Sequence, residues 1–199
     1  METRAAEGAS GASGQRTRMT LPPRVSLRGA AAADVPAIAA IYGEQVAKGT
    51  SSFEYDPPAI DEMMRRHQLL VAAGFPWFVA DDDKADVVGY AFASPYRPRP
   101  GYRYTVEDSV YVAPVAAGRG IGGALLARLI EACIARGDRL MVAVIGDVAN
   151  DASIAVHRRQ GFVEVGRMPG VGWKFGRWIQ SVLMQRPLGN GTAAPPAPR

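Results

Sequence analysis

Four glycines fall within six residues, at Gly118, Gly120, Gly122 and Gly123, in the segment VYVAPVAAGRGIGGALL. They lie between a β-rich run and an amphipathic helical pattern, so they dictate a strand–loop–helix unit. Glycine lets the backbone approach a ligand closely, and the first N–H groups of the helix lack intrahelical partners. Such a loop suits an anion, above all a phosphate. A bare strand-to-helix turn needs fewer glycines. The helix runs to about Arg136, with Leu125, Leu129 and Cys133 on one stripe and Leu126 and Ile130 beside it. Gly137 suits its C-terminal cap. Residues 140–145 are apolar and β-branched enough for a buried strand.

Upstream the pattern predicts a different arrangement. A short strand covers residues 25–28, and Asp34 is placed to cap a helix ending near Lys48. Asp56 and Pro57 open a second helix to about Val71. Residues 77–80 and 87–94 read as a hairpin around the polar turn DDDKAD, and residues 102–112 as a third strand after RPRPG. Three strands with short connections make an antiparallel meander. Downstream, Asn150 or Asp151 caps a fourth helix ending before Gly161, and residues 162–166 and 173–184 are closing strands. The fold class is therefore mixed α/β (α+β).

Residues 1–24 and 188–199 are rich in Gly, Ala, Ser, Pro and Arg with few bulky apolar side chains, and read as disordered tails around one domain at 25–187. Met19 offers a second possible start. The tails also carry the charge: the formal net of +4 divides into +2 for residues 1–24, +1 for 188–199 and +1 for the body, which has 18 basic and 17 acidic side chains. A nearly neutral body argues against nucleic acid as the partner. One cysteine and two histidines exclude a disulfide framework and a thiolate- or histidine-rich metal centre, so no metal is expected. No apolar run approaches the roughly 20 residues that span a bilayer. No membrane association and a cytoplasmic location are expected.

The loop's spacing is compatible with more than one phosphate ligand. Gly118, Gly120 and Gly123 match the spacing of the dinucleotide fingerprint, and Asp147 lies near the next strand's end, where a ribose-binding acid belongs. However, residues 113–117 separate the glycines from the strand, and no second nucleotide-binding half is present. A Walker A loop is excluded because no Gly-Lys-Ser/Thr follows.

The loop with its strand-and-proline lead-in resembles the pyrophosphate loop of the GNAT acetyl-CoA-dependent N-acyltransferases. Asn150, Ser153, His157, Gly161 and Phe162 reproduce that superfamily's later Asn-to-Gly-Phe spacing. The chain is most similar to the phosphinothricin and methionine sulfoximine/sulfone N-acetyltransferases, through residues 50–54 (TSSFE), 96–112 (YRPRPGYRYTVEDSVYV), 150–162 and 172–178 (GWKFGRW). Three positions depart from the pattern: Ala117 replaces the usual Arg or Gln, Tyr104 a frequent His, and Gln180 a frequent Asp.

The resemblance implies a GNAT acyltransferase fold, acetyl-CoA as co-substrate, a small amine acceptor and a homodimer. It implies that Glu107 faces the acceptor amine as general base; strand alternation alone leaves Glu107 equally readable as a solvated carboxylate, with Asp108 on the opposite face. His157 stands where many relatives place a Tyr that protonates the departing thiolate, and pattern alone allows a satisfied structural histidine. Val110, Tyr111 and Val112 would pair with the pantetheine arm. Ala117, Gly118, Arg119, Gly120, Ile121, Gly122 and Gly123 would hold the pyrophosphate. Asn150 and Ser153 would bind the arm, with a plain helix cap as the alternative for Asn150. Phe53, Glu54, Arg97, Arg99 and Tyr102 would form the acceptor pocket, since an arginine fork suits a carboxylate or phosphinate. Cys133, on an apolar stripe, is unsuited to act as a nucleophile, so transfer would be direct. His67 reads as a surface helix residue. Rival classes are a non-catalytic acyl-CoA sensor, a nucleic-acid binder and a dinucleotide-dependent dehydrogenase.

Overall fold

A computed structural model describes residues 24–84 and 86–196. The expected N-terminal tail lies almost wholly outside the described residues. Among them the chain forms seven strands and four α-helices: β1 (Ser26–Gly29), α1 (Val35–Lys48), α2 (Ile60–Ala72), β2 (Trp77–Asp81), β3 (Val87–Pro95), β4 (Thr105–Val112), α3 (Ile121–Arg136), β5 (Leu140–Gly146), α4 (Asp151–Arg159), β6 (Val163–Lys174) and β7 (Arg177–Pro187). The strands make one sheet in the order β1-β2-β3-β4-β5-β7-β6. β1 to β4 form an antiparallel meander, the single parallel contact is β4 with β5, and β5-β7-β6 is antiparallel again.

Period-2 alternation feeds two cores, one on each face of the sheet. Leu125, Leu126, Leu129 and Cys133 of α3 are fully buried against Ala91, Val106, Met141 and Met184. On the other face, Val35, Ile38 and Val46 of α1 pack on Trp77, Val79 and Tyr90. Trp77 stacks on Phe92 at 4.3 Å between ring centroids, and Tyr90 on Tyr111 at 5.2 Å. Aromatic rings pack well on a pleated surface, and Tyr42 of α1 meets this row through a T-shaped contact with Tyr111 at 5.2 Å.

Several expectations change. Asp34 stands at the N-cap of α1 as expected, but its side chain makes no cap bond there and serves the preceding 3₁₀ turn: its carboxylate accepts the Ala31 N–H at 2.7 Å and a two-pronged contact from Arg28 at 2.6 and 2.8 Å. The run 173–184 is two strands, because residues 174–177 form a tight turn with Phe175 (φ 51°) and Gly176 (φ 71°) both left-handed, a geometry that matches the twist of the flanking strands. His67 is buried and lies 5.0 Å from the Trp77 ring, because its turn of α2 faces the sheet. Residue 188 is no tail: Leu188 is fully buried in the α3-side core and its N–H bonds the Arg139 carbonyl at 2.9 Å. The composition of the segment around Leu188 concealed one well-placed anchor.

Leu188→Ala should therefore destabilise the protein by about 2–5 kcal/mol, as for other buried leucines. Denaturant titration reads this directly, and an unchanged midpoint would return residue 188 to a tail.

Candidate active site

β4 and β5 pair only over three residues, Thr105 to Leu140, Val106 to Met141 and Glu107 to Val142. Past Glu107 the two strands part, β4 staying with β3 and β5 with β7. The facing peptide groups of both strands then lack ladder partners in the sheet, and a cleft of about 440 Å³ opens between them. An extended amide-bearing ligand could complete such an edge as an added strand. The cleft is lined by Phe53, Glu107, Val110, Tyr111, Val112, Asn150, Ser153 and His157, so the structure brings these eight expected residues together.

Adjacent positions on β4 put Glu107 and Asp108 on opposite faces. Glu107 is half-buried on the α1 side, and Asp108 is buried on the α3 and α4 side. Burial pushes the Glu107 carboxyl above its ordinary value; the Arg97 charge opposes this and Asp108 reinforces it. Asp108 meets His157: Oδ2 lies 3.0 Å from Nε2, while Nδ1 lies 2.7 Å from the Ser153 carbonyl. Burial alone would lower the His157 pKa, but the Asp108 carboxylate and the Ser153 carbonyl together hold it above the ordinary histidine value. Asn150 caps α4 by accepting the Ser153 N–H at 3.2 Å, which fixes the turn that carries His157. Its cap role is thus present, and its side chain still borders the cleft.

The glycine loop lies just past β4. Gly120 is the N-cap of α3 at φ 81°, a conformation costly for any residue with a Cβ. The first intrahelical bond runs from the Ala124 N–H to the Gly120 carbonyl at 3.1 Å, so the N–H groups of Ile121, Gly122 and Gly123 precede the helix's own bonding. Gly122 packs beside Val112, which places this helix start at the end of the cleft-lining strand. Gly118, Arg119 and Ala117 are exposed around it. Open backbone donors at a helix N-terminus next to a strand edge fit a diphosphate followed by an amide-bearing arm.

A loop between α1 and α2 closes the other wall. Lys174 is fully buried and its ammonium donates to the carbonyls of Val46 (2.8 Å), Gly49 (3.0 Å) and Ser52 (2.9 Å). The cation ties down the C-terminal end of α1 and the residues just before Phe53. Burial lowers its pKa, with Glu54 opposing. The Phe53 ring packs against Gly172 of β6, where any Cβ would overlap it. Thr50 and Arg177 both bond Asp147, Thr50 at 3.1 Å. Asp147, read as a possible ribose-binding acid, is thus consumed in holding this loop.

Four expected acceptor residues do not line the cleft itself. Glu54 turns away from the cleft, accepting from Arg66 at 2.7 Å and from the Tyr42 hydroxyl at 3.1 Å. Arg97 is exposed, with its guanidinium 4.3 Å over the Tyr96 ring, and reaches Glu107 by charge rather than contact. Arg99 precedes an exposed 3₁₀ turn, and Tyr102 ends that turn with its ring edge toward Tyr96. Sequence reasoning missed Asp108 as a partner and Lys174 as a clamp. Two consecutive acids in one apolar strand were the only signal for the first, and the second left none. Cys133 is buried and its thiol is pushed up to about 12, chiefly by burial, which disqualifies it as a nucleophile.

Comparison with known proteins agrees with this geometry. Residues 40–162 match the acetyltransferase (GNAT) family model. The chain is 49% identical over 163 residues to a phosphinothricin N-acetyltransferase of Alcaligenes faecalis, covering 82% of each protein. It is 42% identical to an L-methionine sulfoximine/L-methionine sulfone acetyltransferase of Pseudomonas paraeruginosa, over 85% of this chain and 98% of that one. A solved phosphinothricin acetyltransferase from Sinorhizobium meliloti, in complex with acetyl-CoA, superposes with a TM-score of 0.85 at 46% identity, covering 87% of this chain and 94% of that one.

Lys174→Met should leave three carbonyls, two of them in buried contacts, without their donor and cost about 3 kcal/mol or more. Thermal unfolding measures this, and a variant as stable as the parent would remove Lys174 as the clamp.

Proposed function

Because the chain belongs to the GNAT acetyltransferase family, whose co-substrate is acetyl-CoA, we propose that it acetylates the α-amine of a small amino-acid-like acceptor. The similarity to phosphinothricin and methionine sulfoximine/sulfone acetyltransferases supports acceptors of that type. The observation that carries the reading is the pairing of Glu107 and His157 on opposite faces of β4 at the point where β4 leaves β5.

The thioester supplies an activated acetyl carbonyl. Glu107, whose carboxyl is pushed above its ordinary value by burial, takes a proton from the acceptor's ammonium. The freed nitrogen lone pair forms the N–C bond as the C–S bond breaks. His157 places a proton on the departing sulfur, which lowers the barrier modestly because a thiolate is already a fair leaving group. Two protons leave the nitrogen and one ends on the thiol, so one is released overall. Backbone groups of Val110, Tyr111 and Val112 pair with the arm of the co-substrate, and the carbonyl oxygen is stabilised by donors of that same edge. The N–H groups of Ile121, Gly122 and Gly123, with Arg119 nearby, take the diphosphate. Phe53 walls the acceptor side, and Arg97, with Arg99 and Tyr102 on the same exposed segment, draws in the acceptor's carboxylate.

The reading includes a homodimer in the cytoplasm. Val163, Val165, Val171, Trp173 and Trp178 leave an exposed apolar surface on β6 and β7 of the kind that a second copy covers.

An acceptor panel with acetyl-CoA, read by thiol release, tests the proposal. Methionine sulfone and phosphinothricin should be turned over, and polyamines and an aminoglycoside should not. Glu107→Gln should lower kcat about 100-fold or more with little change in acetyl-CoA affinity. In the parent, kcat/KM should fall as the pH drops through a value above the ordinary carboxylate range, since protonation removes the base; Glu107→Gln should abolish that limb. Arg97→Ala should raise the acceptor KM about tenfold and leave that of acetyl-CoA unchanged. Unaltered turnover in Glu107→Gln would end the base assignment.

A further inference from the structure

His157 has an acceptor at each ring nitrogen. Nδ1 faces the Ser153 carbonyl at 2.7 Å, with the Ser153 hydroxyl at 3.4 Å, and Nε2 faces Asp108 Oδ2 at 3.0 Å. A carbonyl can only accept, so Nδ1 carries a proton. A second proton must then lie between Nε2 and Oδ2. The side chains of His157 and Asp108 are only 5% and 2% exposed, and the other Asp108 oxygen, Oδ1, has no hydrogen-bond partner among the described residues. A buried carboxylate with one hydrogen bond is tolerable only beside a compensating cation. The other neighbours bring no competing charge to the ring: the Phe162 ring lies edge-on at 5.0 Å, and the Cys133 thiol of α3, close enough to sense Asp108, is neutral. Glu107 projects from the opposite face of β4, and Arg158 and Arg159, next on α4, are exposed.

We propose that Asp108 is a positioning residue for the transfer: it holds His157 doubly protonated and fixed between β4 and the Ser153 carbonyl, so that proton donor and base occupy opposite faces of one strand. This rests on the reading of His157 as the donor to sulfur. Without Asp108 the buried ring would be neutral, its one proton on Nδ1 held by the Ser153 carbonyl, and a far weaker acid. With it, the proton stays in place on the face away from Glu107, and the two groups do not neutralise each other directly. The pair also spans from β4 to α4 across the opening between β4 and β5, so one contact sets both the charge and the geometry of that wall.

Asp108→Asn is the discriminating variant, because an amide of the same shape can donate to Nε2 and leave His157 neutral. The alkaline limb of kcat, where the parent loses its donor, should move down by about one pH unit or more, and kcat at pH 9 should fall about tenfold. The acetyl-CoA KM should stay within about twofold. A merely structural Asp108 would lower kcat equally at all pH values, and an unmoved alkaline limb would overturn the proposal. Nitrogen-15 NMR of the free parent protein provides a second readout that needs no turnover. The chain has two histidines, so His67→Gln assigns the signals. Both His157 nitrogens should be protonated at pH 7, and an unprotonated Nε2 would also overturn the proposal, even if Asp108→Asn fails to fold. If no acceptor is acetylated, the proposed function falls while the spectrum still reports the pair.

Discussion

The parting of β4 from β5 is the constraint on which the rest of this molecule depends. Three residue pairs hold the strands together, and from there onward each keeps only its outer neighbour. A sheet interior normally saturates its peptide groups, and an unpaired buried backbone group costs about as much as a lost hydrogen bond. Two facing edges inside one sheet are therefore expensive unless a ligand or water meets them. The structure supports the cost with two dense cores on either face, so the opening is held by rigid walls rather than by a mobile loop.

Each wall is fastened by a buried charge. On the α4 side, Asp108 and His157 join strand to helix; on the α1 side, the Lys174 ammonium gathers three carbonyls, and Asp147 draws in Thr50 and Arg177. Buried charges are costly to desolvate, and removing one partner is more costly still. These contacts are consequently specific: they set where Phe53 and His157 stand to within the reach of a hydrogen bond. Aromatic packing of Trp77, Tyr90, Phe92 and Tyr111 supplies the stiff platform beneath.

Much of this was legible in the sequence. The glycine loop, the stripe of α3 and the meander all follow from periodicity and local chemistry, because their determinants lie within a few residues of each other. Glu107, His157, Asn150, Phe53 and residues 110–112 were identified and do line one cleft. Glu54 misled because its partners, Arg66 and Tyr42, come from other elements and capture its carboxylate before it can reach the cleft. Residues 173–184 misled because a two-residue turn interrupts the run, with Phe175 in a backbone conformation rare for such a side chain. Leu188 misled because composition averages over a segment, and a single buried leucine does not change the average.

By itself the sequence determined the order and type of the elements, the phosphate-suited helix start at Gly120 and the presence of an acid in mid-strand at Glu107, since each is a local property of backbone and side-chain alternation. Only the tertiary structure decided which groups meet. Asp108 finds His157 49 positions away, and Lys174 finds the end of α1 more than 120 positions away. Such pairings depend on strand order and on the register between elements. The long-range packing of the whole chain fixes both, and no local pattern encodes them.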